Sequence, residues 1–319
     1  MYEKRFSGHQ SFPLRKGWLN KYHSIEADGL DGGKDDIKEL TVEQLAVYWG
    51  VGKNMVDAIK YWAGQTGISD AQYHDSKKIF ETLYSNDKFI QKRSTLWLVH
   101  WLLCRNTEQV TSYRFFFNHY NSLLVSKDSL YTAIEVAFEK NRFPMKAKKD
   151  KKHSHSFLTL DSSNSMKKDI GILFQMYALK DNVKNKDVED NMLAMFGELE
   201  LIKPFGKDTW ICELEERTSL SDNVFNYCLL DFFSRIMGKE TSIGINDIMH
   251  LEGSPARIFR MSEREIELRL DKLTKTDSLG EKFSWIDSRG SRAIQINDNF
   301  VQYDNVKEEL LNKVYARNV

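Results

Sequence analysis

Thr41-Val42-Glu43-Gln44-Leu45-Ala46-Val47-Tyr48-Trp49-Gly50-Val51-Gly52-Lys53-Asn54-Met55-Val56-Asp57-Ala58-Ile59-Lys60-Tyr61-Trp62 reads as two short helices joined at a glycine. With Val42 as the first position of a helix-turn-helix of roughly twenty residues, Leu45 and Ala46 face the second helix and Gly50 occupies the turn. Val51 follows, and Val56 and Ile59 fall on the buried side of the second helix. Lys53 and Asn54 are left facing outward at its start, with Asp57, Lys60 and Tyr61 further along. A cation and an amide at a helix N-terminus suit phosphate oxygens and adenine edges, so Lys53, Asn54, Lys60 and Tyr61 are candidate DNA contacts. The same hairpin serves many folds as a plain packing unit. The run Gly50-Val51-Gly52-Lys53-Asn54 is no nucleotide-binding loop: Val47 stands where its first glycine belongs, and Asn54 where a Ser or Thr must hold Mg²⁺.

Working outward, Ser94-Thr95 precede the run Leu96–Leu103, apolar nearly all round and so a core helix, with His100 as a satisfied core histidine. An aromatic block at Tyr113–Tyr120 follows, and Ser126 or Lys127-Asp128 opens a helix carrying Leu130, Ile134, Ala137 and Phe138. Asn141–Ser165 is polar and basic and ends in the turn formers Asp161–Ser165, which reads as a linker and sets a domain boundary near residue 160. Beyond it, Lys167–Leu179 and Val224–Met237 have helical periodicity. Glu200–Pro204 and Asp208–Leu214 flank Phe205-Gly206-Lys207 as a hairpin, the outline of a winged helix. The scheme recurs where Ser262 opens the helix Glu263–Leu273 and Phe283–Asp287 and Arg292–Ile296 bracket a turn. The predicted fold is mostly α (α+β): a helical domain over 1–160 with the helix-turn-helix, then winged-helix-like units with short hairpins over 161–319.

A chain of 319 residues, 41% apolar, has room for two or three domains with real cores. No apolar run approaches the roughly 20 residues of a membrane helix, and Met1–Arg5 lacks a signal peptide's apolar region. Cys104, Cys212 and Cys228 each lie in apolar runs without metal-ligand spacing, which points to buried thiols and a cytoplasmic location. The net charge of zero conceals an asymmetry: 24 Lys+Arg against 18 Asp+Glu over 1–156, and 22 against 28 over 157–319. A basic N-terminal half suits a polyanion such as double-stranded DNA.

The other dense motif is Phe6-Ser7-Gly8-His9-Gln10-Ser11-Phe12-Pro13-Leu14-Arg15-Lys16-Gly17-Trp18-Leu19. Rigid and φ-permissive residues surround His9, Gln10 and Arg15, so it reads as an ordered surface loop, with Phe6, Phe12 and Trp18 as anchors. In such a loop His9 is the candidate general base, Arg15 the candidate stabiliser of a pentavalent phosphate, and Gln10 and Lys16 candidate DNA contacts. As a plain terminal arm the same residues would only plug a core edge. Nuclease sites gather two or three carboxylates around Mg²⁺. Asp208 with Glu213-Leu214-Glu215 resembles this only in spacing, and His153-Ser154-His155 lies in the most basic segment, so no metal ligands are assigned.

The loop Phe6–Leu19, the run Gly50–Trp62 and Thr95–Trp101 together resemble the SspB family, as do Lys168-Asp169-Ile170 and Ser254–Arg260. The resemblance implies a DNA-nicking component of the Ssp system, which installs phosphorothioate in one DNA strand as an anti-phage defence. It implies work beside sulfur-transfer enzymes and an ATPase. The cofactor is left open, with Mg²⁺ as the candidate, and so is homo-oligomerisation. A non-catalytic DNA-binding adaptor that recruits the sulfur-transfer enzymes is the alternative. Ser11 replaces the family's usual Thr and keeps the hydroxyl, whereas Ala256-Arg257 replaces a glycine-containing turn.

Overall fold

The computed structural model describes residues 2–28, 37–69, 74–140, 142–143, 160–179, 194–236, 241–275, 279–288, 291–297 and 303–316. Contacts divide the chain into two compact units, Met1–Cys212 and Glu213–Val319. The first contains α1 (Trp18–Asp28), α2 (Val42–Trp49), α3 (Lys53–Gln65), α4 (His74–Asn86), α5 (Arg93–Cys104), α6 (Ser112–His119), α7 (Lys127–Glu139) and α8 (Leu160–Tyr177).

The opening stretch folds as its caps dictate. The Thr41 hydroxyl accepts the Gln44 N–H at 3.2 Å while the Gln44 side chain accepts the Thr41 N–H at 2.9 Å, a reciprocal cap that fixes the start of α2. Gly50, at φ 62°, ends α2 in the left-handed region where a Cβ is disfavoured, and Gly52 opens α3. Leu45, Val56 and Ile59 are buried.

Helix α5 is buried on every side from Thr95 to Cys104. Its Trp97 and Trp101 join Tyr113, Phe116, Phe117, Phe138, Tyr177 and Phe196 among the largest fully buried side chains. Each such ring favours the folded state by roughly 2–3 kcal/mol over leaving it exposed. His100 is indeed a core histidine: it is fully buried and its Nδ1 lies 2.7 Å from the Tyr177 hydroxyl. All three cysteines are free and buried.

Strand β1 (Glu3–Lys4) pairs in parallel with β2 (Gln109–Val110), which ties down a terminus that ordinarily frays. Strands β3 (Leu124–Val125), β4 (Lys203–Gly206) and β5 (Thr209–Ile211) form an antiparallel sheet in the order β3-β5-β4. This sheet displaces the division between units to Cys212, away from residue 160. The hairpin at 203–211 adds to β3 of the first unit, and α8 packs on α6 and α7. Asp161–Ser165, read as turn formers, lie in the first turns of α8 instead. Serines and an Asp favour helix starts as readily as turns, because their side chains satisfy free backbone N–H groups. The remainder of the supposed linker, 141 and 144–159 with His153 and His155, lies outside the described residues.

The second unit comprises α9 (Asp222–Ile236), β6 (Ser242–Gly244), α10 (Ile245–His250), α11 (Pro255–Ile258), α12 (Glu263–Thr274), β7 (Phe283–Ser288), β8 (Ser291–Ile296) and α13 (Tyr303–Tyr315). The order helix, strand, helices, hairpin, with an antiparallel sheet β6-β8-β7, is that of a winged helix. Ser262 caps α12 by accepting the Glu265 N–H. Buried Arg269 ties α12 to the start of α9, donating to Glu265, Asp222 and the Arg217 and Leu220 carbonyls at 2.6–3.1 Å. Ala256-Arg257 lies within α11, which Ser254 caps, so those positions need no glycine. Among the described residues no helix is long and apolar enough to cross a membrane.

Candidate nucleic-acid interface

The loop 6–18 is built on a buried polar anchor. His9 is only 3% exposed and Asp169, from α8, is 0% exposed. The imidazole Nδ1 accepts the Ser11 backbone N–H at 3.0 Å. The ring proton is therefore on Nε2, which faces Asp169 Oδ1 at 3.5 Å. The Asp169 carboxylate also accepts the Ser112 N–H at 2.6 Å. The ring of His9 lies over Trp62, 20° from coplanar, and edge-on to Tyr61. Burial, helped by the nearby Lys168 charge, lowers the imidazole to about 4. Burial likewise raises the Asp169 carboxyl to about 6, opposed by its hydrogen bonds from Ser112.

This geometry departs from the surface loop expected from sequence. His9 faces inward, with one ring nitrogen committed to Ser11 and the other turned to Asp169, so neither is open to solvent. The only sign in the sequence was Asp169, more than 150 residues away, inside the triplet Lys168-Asp169-Ile170 that carries part of the family resemblance.

Above this anchor the backbone is strained. Gln10 and Ser11 have φ of 49° and 62°, and the Phe12 N–H closes on the His9 carbonyl at 2.8 Å. Both central residues of the turn are left-handed, as a type I′ turn requires, yet neither is Gly, Asn or Asp. Each costs on the order of 1 kcal/mol, so Gln10 and Ser11 are held there by the surrounding structure. Both are exposed, whereas the Trp62 indole N–H, donating to the Phe12 carbonyl at 3.1 Å, pins the turn's far side. Gly8 adopts φ 116°, and a Cβ there would lie 2.6 Å from the Tyr61 ring. Gly8→Ala should therefore displace the turn, and crosslinking or limited proteolysis at residues 8–12 should report it; an unaltered cleavage pattern would refute the close-packing argument.

Arg15 is the unusual side chain of the loop. Its guanidinium stacks over Phe12 at 5.7 Å and Trp18 at 5.3 Å, and its buried Nε has no hydrogen-bond partner. Among the described residues no carboxylate pairs with it. Lys16 beside it reaches Glu198 at 2.9 Å. Phe6 and Trp18 are buried anchors as expected, and Phe12 is half-buried.

On α3 the sequence reading separates. Lys53, Asn54 and Asp57 are exposed and Lys60 is half-buried. Lys53 already pairs with Glu43 across the turn at 2.6 Å, and that hydrogen bond holds the Glu43 carboxyl below its ordinary range. Tyr61 does not face outward: it is 8% exposed, packs against Gly8 and His9, and burial pushes its phenol well above the usual value. It lies three residues after buried Ala58 and four before buried Gln65, so it sits on a buried face of α3 that supports the loop and not on the outward face expected from sequence.

The model of the family described as protein of unknown function DUF4007 matches residues 6–315. The chain belongs to the DUF4007 family. Two crystal structures of SspB share the fold. The magnesium-bound form superposes with a TM-score of 0.72 and the other with 0.70, each at 20% identity over 98% of this chain and 89% of theirs. No curated protein matches this DUF4007 chain by sequence. The DUF4007 match includes the loop and α3, and this chain shares its mostly helical fold with the SspB structures.

Proposed function

We propose that this protein binds duplex DNA through residues 1–212 and nicks one strand at the Arg15 loop, within a phosphorothioation system of the SspB kind. The observation that carries this reading is Arg15: a half-buried guanidinium with an unsatisfied N–H and no carboxylate partner. A stacked guanidinium fork matches a phosphate's non-bridging oxygens, where negative charge builds as solvent water adds to phosphorus, its proton passing to solvent, and the P–O bond to the departing sugar oxygen breaks. Exposed Gln10 and Ser11, held in strained geometry, and Lys16 supply donors beside it. His9 acts here as a positioning residue, holding the turn through Ser11 and Asp169. SspB, whose magnesium-bound fold this chain resembles, supplies the analogy for the Ssp system and its sulfur-transfer and ATPase partners.

The described residues form no protein-built Mg²⁺ cage. Among the described residues no three His, Cys, Asp or Glu side chains converge, and Asp169 is sealed beneath the loop.

A second reading has one specific support: His9 offers no free ring nitrogen as a base. In that reading the chain is a DNA-binding adaptor that presents sites to sulfur-transfer enzymes, and Arg15 grips phosphate without chemistry. Relaxation of supercoiled plasmid by the purified chain, with and without Mg²⁺, separates the two; unchanged supercoils under both conditions would retain only the adaptor.

Both readings make the same demand of α3. Lys53→Ala should weaken binding on all sequences alike and lower the salt slope by about one, because an ammonium makes point-charge phosphate contacts. Asn54→Ala should also relax preference at one base pair, by roughly 1–3 kcal/mol of discrimination. Fluorescence anisotropy on a panel of duplexes measures both. If neither substitution has an effect, α2 and α3 are a packing unit only.

A further inference from the structure

We infer that the β4–β5 hairpin is a second DNA contact that inserts Phe205 as an apolar wedge into the minor groove of the bound duplex. The inference rests on the DNA-binding reading above and goes beyond it. Phe205 is 63% exposed, at a β-bulge where pairing passes from Pro204↔Trp210 to Gly206↔Thr209. A bulge interrupts the strand alternation and re-aims a side chain, and Phe205 is its unpaired extra residue. Pro204 and Trp210 share the inner face, where Trp210 stacks on Phe174 of α8 at 4.2 Å. Lys203 therefore shares the outer face with Leu124 and Ile211 of the neighbouring strands, and Phe205, unpaired at the bulge, is turned to solvent.

The tip of the hairpin is narrow. Two residues, Lys207 and Asp208, make the turn, and Asp208 takes the left-handed φ of 57° that Asp tolerates. Trp210 fixes the base of the hairpin to the core. An aromatic ring held out on such a tip, with Lys203 and Lys207 either side, matches the apolar wedges flanked by cations that architectural proteins insert between base steps. Pro204 lacks an N–H and blunts the outer strand, which argues against a partner protein adding a strand at that edge. The hairpin is also linked to the loop, because Lys16 holds Glu198 five residues before β4. That pairing neutralises one acidic neighbour; Glu200 and Asp208 remain, so Asp208 should oppose DNA.

The test uses the full chain and a doubly labelled 40-bp duplex of random sequence, reading affinity by anisotropy and bending by energy transfer. The wild type should bend the duplex. Phe205→Ala should abolish bending and weaken binding by about tenfold, the scale of losing one aromatic–base contact. Lys207→Ala should lower the salt slope by about one. Asp208→Asn, which tolerates the same φ, should tighten binding by roughly twofold, the scale of one exposed charge. Binding without bending, or bending unchanged in Phe205→Ala while Lys53→Ala still weakens binding, would overturn the wedge and leave the DNA reading intact. No DNA binding by the wild type would overturn both. Weaker binding by Asp208→Asn would overturn the wedge's placement of Asp208 against DNA, and a shift in oligomeric state on Phe205→Ala would assign the hairpin to a protein contact; either would overturn the wedge.

Discussion

Arg15→Ala should reduce plasmid nicking by about 10²-fold or more while leaving the melting temperature unchanged or slightly raised. The activity loss is the scale on which removing one preorganised donor at a developing negative charge acts. The stability side follows from the same geometry. Its Nε is buried without a partner, and an unsatisfied buried donor costs roughly 1–3 kcal/mol, so truncation removes a penalty along with the stacking on Phe12 and Trp18. A residue whose removal costs function and not stability is one the fold retains for function. Arg15→Lys keeps the charge but loses the planar fork and much of the stacking, so it should recover only a small part of the activity. Nicking of supercoiled plasmid, with calorimetry on the same samples, measures both sides. Full activity in a well-folded Arg15→Ala would move the chemistry elsewhere; a large fall in melting temperature would show that the guanidinium has a structural partner.

Much of the fold was legible because it is locally specified. Thr41, Gly50, Ser126 and Ser262 mark helix ends through their own side chains or their lack of one, and α5 declares itself by being apolar on every side. The hairpin at 283–296 has a turn inside an alternating pattern, and it pairs as that pattern implies. What failed was non-local. Nothing near 203–211 says that its sheet partner is Leu124–Val125, some 80 residues earlier, so the unit boundary moved to Cys212. The burial of His9 was hidden for the same reason, because its counterpart Asp169 lies on a helix that sequence alone assigned to another domain. Tyr61 is a smaller case: on a helix with Val56, Ile59 and Trp62 all buried, a single step of about 100° decides whether a side chain faces solvent or the loop.

Removing either member of the His9–Asp169 pair should give stability profiles of opposite slope against pH. His9 has its pKa lowered from 6.5 to about 4, so between those values the folded state binds fewer protons than the unfolded chain. Its contribution is present above pH 6.5 and is lost as pH falls through 4. Asp169 has its pKa raised from 3.8 to about 6, so between those values the folded state binds more protons. Its contribution is present below pH 3.8 and is lost as pH rises through 6. In the wild type the two windows overlap and largely offset, so this pair adds little pH dependence. Asp169→Asn, which preserves an acceptor for Ser112, leaves His9 alone: the variant should lose stability as pH falls from 6.5 to 4, by an amount on the order of 2–3 kcal/mol. His9→Ala leaves Asp169 alone: it should gain stability as pH falls from 6 toward 4, by a similar amount. At pH 7 His9→Ala should nevertheless be the less stable protein than wild type by about 3 kcal/mol, since it empties a buried ring site between Tyr61 and Trp62 and leaves the Ser11 N–H without its acceptor. Urea denaturation of the three proteins from pH 4.5 to 7.5 measures the slopes. Parallel profiles for the two variants would mean that the pair is solvated or already ion-paired, and that the loop is held by something other than this buried contact.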